Sequence, residues 1–197
     1  MNQSSVSFSV FTKPWRQTPL PKLGEFVHGL GFDGIELPVR PGYQVEPENM
    51  TRGLPAAVKI LAECGVKVFS IAGPTTEEAM AACAEAGVPI IRIMANLTVE
   101  SYLESEAAWR REWDALTPLL ERYGVTLGIQ NHYGRFLCNA MGLRHILEQY
   151  DPKRIAAVSR TLSGSAPTAR RRQWLSGNRT GPWGGTAWPP GRAWRQS

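Results

Sequence analysis

The chain has 197 residues, 43% of them hydrophobic, which is enough for one globular domain with a packed core. It has no apolar run of about 18 residues and no signal-peptide pattern at its N-terminus, so we expect no membrane span and a cytoplasmic location. Its three widely spaced cysteines lack a CxxC motif, which argues against a disulfide framework or a zinc knuckle and predicts reduced thiols.

The net charge of +5 is unevenly distributed along the chain. All 17 acidic residues lie at or before Asp151, and residues 1–158 hold 15 Lys and Arg, so this part is slightly acidic. Residues 159–197 hold seven Arg and no acidic residue. We therefore expect a globular part over residues 1–158 and a basic tail of different chemistry over residues 159–197.

Apolar runs and amphipathic segments alternate along the first 158 residues. The predicted strands are 6–11, 34–37, 66–71, 89–95, 125–129 and 155–158, and the predicted helices are 20–30, 55–64, 75–86, 105–123 and 139–150. Thr75 and Glu78 match a capping box for the third helix. This alternation predicts βα units around a parallel sheet, either a doubly wound open sheet or part of a (β/α)8 barrel.

A glycine precedes four of the predicted strands, in the segments GFDGIEL, GVKVFSI, GVPIIRI and GVTLGIQ. Glycine readily adopts the left-handed conformation that ends a helix before a short loop. The four segments therefore indicate a repeated helix-to-strand connection.

Polar side chains follow the fifth predicted strand. Gln130, Asn131, His132 and Tyr133 come directly after the apolar run of residues 125–129. Because functional side chains in α/β folds gather at the carboxyl ends of parallel strands, these residues are candidates for a site. A polar loop with a hydrogen-bonded histidine is the structural alternative.

Three segments together resemble the xylose isomerase-like barrels of the sugar phosphate isomerase/epimerase superfamily. They are GFDGIEL at 31–37, GVTLGIQNHYG at 124–134 and AMGLRHILEQYDPKRIAAV at 140–158, and the resemblance covers residues 5–158. It implies a partial (β/α)8 TIM barrel of about five βα units and a sixth strand. It also implies a sugar-like substrate and proton removal next to a carbonyl, assisted by Mn²⁺ or Mg²⁺ at the carboxyl end of the barrel.

The family's metal ligands are a Glu, an Asp, a His and a Glu from strands five to eight. By resemblance, Gln130 occupies the position of the first Glu, and Arg160 falls where the Asp is expected. An amide oxygen can bind a hard cation but carries no charge, and a guanidinium repels one. Strands seven and eight have no counterpart in this chain. We therefore expect weak metal binding and no activity in the chain as written.

Two further positions carry over from the resemblance. Glu36, at the end of the second strand, is a candidate catalytic or substrate-contacting carboxylate; the alternative is an ion pair with Arg40 or Lys13. His132, together with Asn131, is a candidate for substrate binding, or else it holds the loop. His28 and His145 fall within helices and are expected to be structural or exposed.

The tail admits three interpretations. It contains four Trp, seven Arg, six Gly and four Pro, with no helical or strand periodicity, so we expect no fold of its own. It could be a basic, aromatic arm for nucleic acid, a linker, or out-of-frame translation of a GC-rich gene. The composition changes where the family motif should continue, which favours the third interpretation. A shifted reading frame near codon 159 should then restore an Asp and a His.

Two other functions remain open from the sequence. One is a metal-dependent endonuclease on the same barrel, which would need several histidines at the ends of strands two and three; Ile35–Leu37 and Ser70–Ala72 contain none. The other is nucleic-acid binding through the tail. The substrate, the choice of metal and the oligomeric state are not indicated.

Overall fold

In the part of the chain that the structure describes, six strands and five α-helices alternate. The computed structural model describes residues 7–98 and 101–158. The strands are β1 (Ser9–Phe11), β2 (Gly34–Pro38), β3 (Lys67–Ala72), β4 (Ile90–Met94), β5 (Thr126–Gln130) and β6 (Ile155–Val158). The helices are α1 (Leu20–Gly29), α2 (Met50–Glu63), α3 (Glu77–Ala86), α4 (Tyr102–Tyr123) and α5 (Ala140–Leu147), with short 3-10 turns at Lys13–Trp15 and Pro47–Asn49.

Each strand pairs in parallel with the next one along the chain, in the order β1-β2-β3-β4-β5-β6. A doubly wound sheet reverses its strand order at a switch point, whereas a barrel winds in one direction. The observed order is that of a barrel, so the predicted α/β class with part of a (β/α)8 barrel is confirmed. The predicted tail, residues 159–197, lies outside the described residues.

The two faces of the sheet differ in chemistry. Alternate strand residues on one face, including Ile35, Leu37, Ile91, Leu127 and Ile129, are fully buried and belong to one apolar core with the helices. Successive side chains on a strand point to opposite faces. The intervening positions therefore face the inside of the barrel, and they include the polar residues Glu36, Arg92 and Gln130.

The glycines after the helices adopt the conformation expected from the sequence. Gly87 and Gly124 are the C-cap residues of α3 and α4, with φ of 68° and 65°. The amide of Gly87 donates to Ala84 and Cys83, which satisfies carbonyls at the end of the helix. These caps place β4 and β5 directly after their helices.

The starts of four helices differ from the predictions, with α4 beginning at Tyr102 rather than residue 105 and α5 at Ala140 rather than residue 139. Helix α2 begins at Met50 rather than Pro55, because burial of Met50 and Leu54 extends the apolar face upstream. The N-cap of α3 is Thr76 rather than Thr75. The Thr76 side chain accepts a hydrogen bond from the amide of Ala79, and because Ala79 rather than a glutamate stands at the N3 position, the predicted capping box does not form. Burial of apolar side chains therefore sets the start of α2, and a local hydrogen bond sets the start of α3.

Candidate active site

A buried ion pair links β2 to β4 on the inner face of the sheet. Arg92 Nη2 donates to Glu36 Oε1 at 2.5 Å, and Arg92 Nε lies 3.2 Å from both carboxylate oxygens. The Ser70 hydroxyl donates to Glu36 Oε2 at 3.2 Å, and the Phe11 ring lies 4.8 Å from the guanidinium carbon. The side chains of Arg92 and Glu36 are only 3% and 12% exposed. Residues from four strands therefore meet around this one ion pair.

The partner of Glu36 differs from the one predicted. The sequence offered Arg40 or Lys13, which lie beyond the strand ends, whereas the structure pairs Glu36 with Arg92 inside the barrel. Arg92 was missed because it is 56 residues away in the chain. The sequence does contain one indication of this pair, the single cationic residue within the apolar strand IIRIM. A charged side chain in a buried strand requires a partner of opposite charge. The catalytic role of Glu36 remains a prediction.

Gln130 lies at the carboxyl end of β5, as the sequence predicted. Its register partners are Met94 on β4 and Val158 on β6, and it is only 2% exposed. Within residues 7–98 and 101–158 its side-chain amide makes no hydrogen bond. The fully buried side-chain atoms without a partner in the described part are Gln44 Oε1 and Arg110 Nη1, so Gln130 is a candidate ligand contact by its position at the strand end and by its amide donors and acceptor.

Asn131 and His132 make contacts within their own loop. Asn131 Nδ2 donates to the carbonyl of Cys138 at 3.4 Å, and His132 Nδ1 lies 2.9 Å from the carbonyl of Tyr133. The His132 ring stacks on Tyr133 with centroids 4.6 Å apart and meets Phe136 edge-on at 5.0 Å. These contacts hold the loop, and the substrate roles of both residues remain predictions.

The described residues do not fit a catalytic divalent metal. No group of three or more His, Cys, Asp or Glu side chains comes together in the described part of the chain. Gln130 offers one neutral oxygen, and the carboxylate of Glu36 is already neutralised by Arg92. Mg²⁺ and Mn²⁺ sites use several oxygen ligands, including carboxylates. Arg160, at the expected Asp position, lies outside the described residues.

Burial raises the pKa of the Cys83 thiol to about 12, so it stays protonated and is not a nucleophile at neutral pH. Cys64, Cys83 and Cys138 are free thiols. His28 is exposed, and His145 Nε2 lies 3.3 Å from Glu106 Oε1 on the outer layer.

The fold is shared with solved sugar isomerases and epimerases. The 3-keto-D-glucoside 4-epimerase of E. coli has 12% identity and a TM-score of 0.57, over 79% of this chain and 68% of that one. A sugar phosphate isomerase/epimerase from Parabacteroides distasonis has 12% identity and a TM-score of 0.58, over 80% and 67%. A xylose isomerase domain protein from Planctomyces limnophilus has 14% identity and a TM-score of 0.57, over 80% and 64%.

These similarities confirm the predicted fold, that of the xylose isomerase-like barrels of sugar phosphate isomerases and epimerases. The chain spans about two thirds of the length of each of the three proteins. No sequence-family model and no curated protein matches it. None of the helices in the described part is long and apolar enough to cross a membrane.

Proposed function

We propose that this chain is a sugar-binding protein of the isomerase/epimerase kind, and that it lacks metal-assisted turnover in the form given by its sequence. The observation that carries this proposal is the position of Gln130. It lies at the carboxyl end of β5, on the same face as the Glu36–Arg92 pair, and its amide has no partner among the described residues. The fold shared with sugar epimerases supports the substrate class.

The proposed roles follow from the chemistry of each group. The Gln130 amide can donate to one sugar hydroxyl and accept from another, and Asn131 and His132 follow it directly in the chain. Among the described residues Glu36 is our candidate base, but its carboxylate is held by Arg92 and Ser70. Proton removal next to a carbonyl needs a free base and a group that stabilises the developing charge. We therefore expect the chain to bind a sugar without converting it to another sugar.

The endonuclease alternative gains no support from the described loops. The segments that follow β2 and β3, residues 39–46 and 73–76, contain no histidine. Nucleic-acid binding through the arginine-rich tail concerns residues outside the described part.

Sugar binding is the direct test. The structure of one neighbour, D-psicose 3-epimerase, was determined in the presence of D-fructose, which makes this ketose a suitable first probe. We expect saturable binding in saturation-transfer NMR, weakened about tenfold in Gln130→Ala because a hydrogen-bonding group is lost. Gln149→Ala, which removes an amide after α5, is the matched control. Absence of saturation at about 50 mM D-fructose would overturn the proposal, because even a weak site of ~1 mM would then be filled.

Metal binding gives an independent prediction. We expect calorimetric titration with Mn²⁺ or Mg²⁺ to show no one-to-one site with a micromolar dissociation constant, because one neutral amide cannot replace the water shell of the cation. The titration is run on the full chain and on Gln130→Ala. A micromolar site in the unmodified chain that is lost in Gln130→Ala would show that Gln130 belongs to a complete metal centre.

A further inference from the structure

A row of four aromatic side chains extends from the start of α4 to the segment between α5 and β6. Tyr102, Trp109 and Trp113 are spaced by about two turns and then about one turn of α4, which places them on one face of the helix. Tyr150 continues the row, and the successive ring centroids lie 5.9, 6.3 and 6.1 Å apart. Aromatic rings in contact have centroid distances of about 4.5–7 Å, so each ring of the row contacts the next one.

The middle of this aromatic row is buried, and its ends reach the surface. Trp109 and Trp113 are 5% and 1% exposed, whereas Tyr102 is 39% exposed and Tyr150 is partly buried. Tryptophan and tyrosine are among the side chains that lose a single electron most readily. Because the rate of electron transfer falls steeply with distance, rings in contact exchange an electron much faster than separated rings. The row therefore offers a path for electrons between the core and both of its ends.

The two tyrosines at the ends differ in their access to a proton acceptor. The Tyr150 hydroxyl donates to Asp114 Oδ1 at 3.0 Å, whereas the Tyr102 hydroxyl makes no hydrogen bond within residues 7–98 and 101–158. Burial, followed by the hydrogen bond to Asp114, raises the pKa of Tyr150 to about 12, so its phenol is protonated at neutral pH. Loss of one electron makes a phenol strongly acidic, so a hydrogen-bonded carboxylate that accepts the proton favours the oxidation. An oxidised side chain is therefore best stabilised at Tyr150.

We propose that the aromatic row is a relay that carries a one-electron oxidation through the core to Tyr150. A one-electron oxidant, such as an oxidised metal complex or an inorganic radical, takes an electron from Trp109 through the adjoining ring of Tyr102. Trp113 replaces that electron, and Tyr150 replaces the electron lost by Trp113 while its phenol proton passes to Asp114 Oδ1. The products are the reduced oxidant, a neutral tyrosyl radical and a protonated Asp114 carboxyl. This activity is separate from the proposed sugar binding.

A photo-oxidant attached to Cys138 tests the relay in the full chain. The Cys138 thiol is exposed and lies close enough to Tyr102 to contribute to the raised pKa of that tyrosine, so it places the oxidant at the first ring of the row. A thiol-reactive ruthenium polypyridyl complex is coupled there in a Cys64→Ala background, and a flash with an external electron acceptor generates its oxidised form. A nitroso spin trap then captures the protein radical. We expect trap adducts on Tyr150, located by mass spectrometry of proteolytic peptides.

Trp113→Phe removes the ring that connects Trp109 to Tyr150 as an electron carrier, because phenylalanine keeps an aromatic shape but is not oxidised. We expect this variant to lose most of the adduct on Tyr150. Trp15→Phe is the matched control: Trp15 packs on Phe26, away from the row, and its replacement should leave the yield unchanged. An undiminished yield in Trp113→Phe, with the fold verified by circular dichroism, overturns the relay.

Asp114→Asn tests the proton acceptor on an exposed residue whose replacement leaves the core intact. The asparagine oxygen can still accept the hydrogen bond from Tyr150 but does not take its proton, so we expect a severalfold lower yield of adduct. Asp151→Asn is the control, because that carboxylate accepts from the backbone amide of Lys153 instead. Equal yields in Asp114→Asn and Asp151→Asn overturn Asp114 as the acceptor. Absence of any adduct on Tyr150 in the labelled chain overturns the relay as a whole.

Discussion

Replacing Arg92 with methionine is expected to lower the free energy of unfolding by about 3–5 kcal/mol, because Glu36 would keep a buried carboxylate without its partner. The loss should be measured by urea denaturation followed by circular dichroism. Methionine retains much of the volume of the arginine stem, so the effect reports mainly on the lost charge. Ser70 alone, with one hydrogen bond at 3.2 Å, does not compensate a carboxylate.

Two further variants make this prediction specific. Arg122→Met removes an exposed partner from Glu77, where the two side chains are 67% and 47% exposed, and the expected cost is below ~1 kcal/mol. The double variant Glu36→Leu with Arg92→Met should recover most of the lost stability, because apolar replacement of a buried pair is often neutral. Equal costs for Arg92→Met and Arg122→Met would contradict the assignment of a buried pair.

Replacing Gly34 with alanine is expected to lower the free energy of unfolding by about 1–3 kcal/mol through overpacking. A Cβ at this position would lie 2.4 Å from the carbonyl oxygen of Lys67 and 2.5 Å from the ring of Phe69. The neighbouring backbone belongs to β3, so relief requires the two strands to separate. Thermal and urea denaturation of the purified variant measure the effect.

Gly29→Ala is the matched control for Gly34→Ala. Gly29 lies in α1 with no heavy atom within 4 Å of the added Cβ, and alanine is favoured over glycine in helices by roughly 0.5–1 kcal/mol. We therefore expect a neutral or slightly stabilising change. A destabilisation in Gly29→Ala as large as that in Gly34→Ala would mean that steric crowding at β3 is not the cause.

The repeated unit was predictable because it depends on short-range patterns. An apolar run of about five residues, a glycine before it and an amphipathic helix after it can each be recognised within one segment. The left-handed Gly87 and Gly124 occur where the sequence placed them. The end of β5 at Gln130 was equally local, because the apolar run stops there. The resemblance of three segments to one barrel family then indicated the order of the strands.

The sequence by itself determined the alternation of strands and helices, the parallel sheet and the polar residues at the end of β5. Only the tertiary structure decided that Glu36 pairs with Arg92, that Gly34 is closed in by Lys67 and Phe69, and that Tyr150 continues the aromatic row of α4. The physical reason is separation along the chain. A side chain's partner is set by strand register and by packing between residues that lie tens of positions apart in the chain. The periodicity of hydrophobic residues within one segment carries no information about such distant contacts.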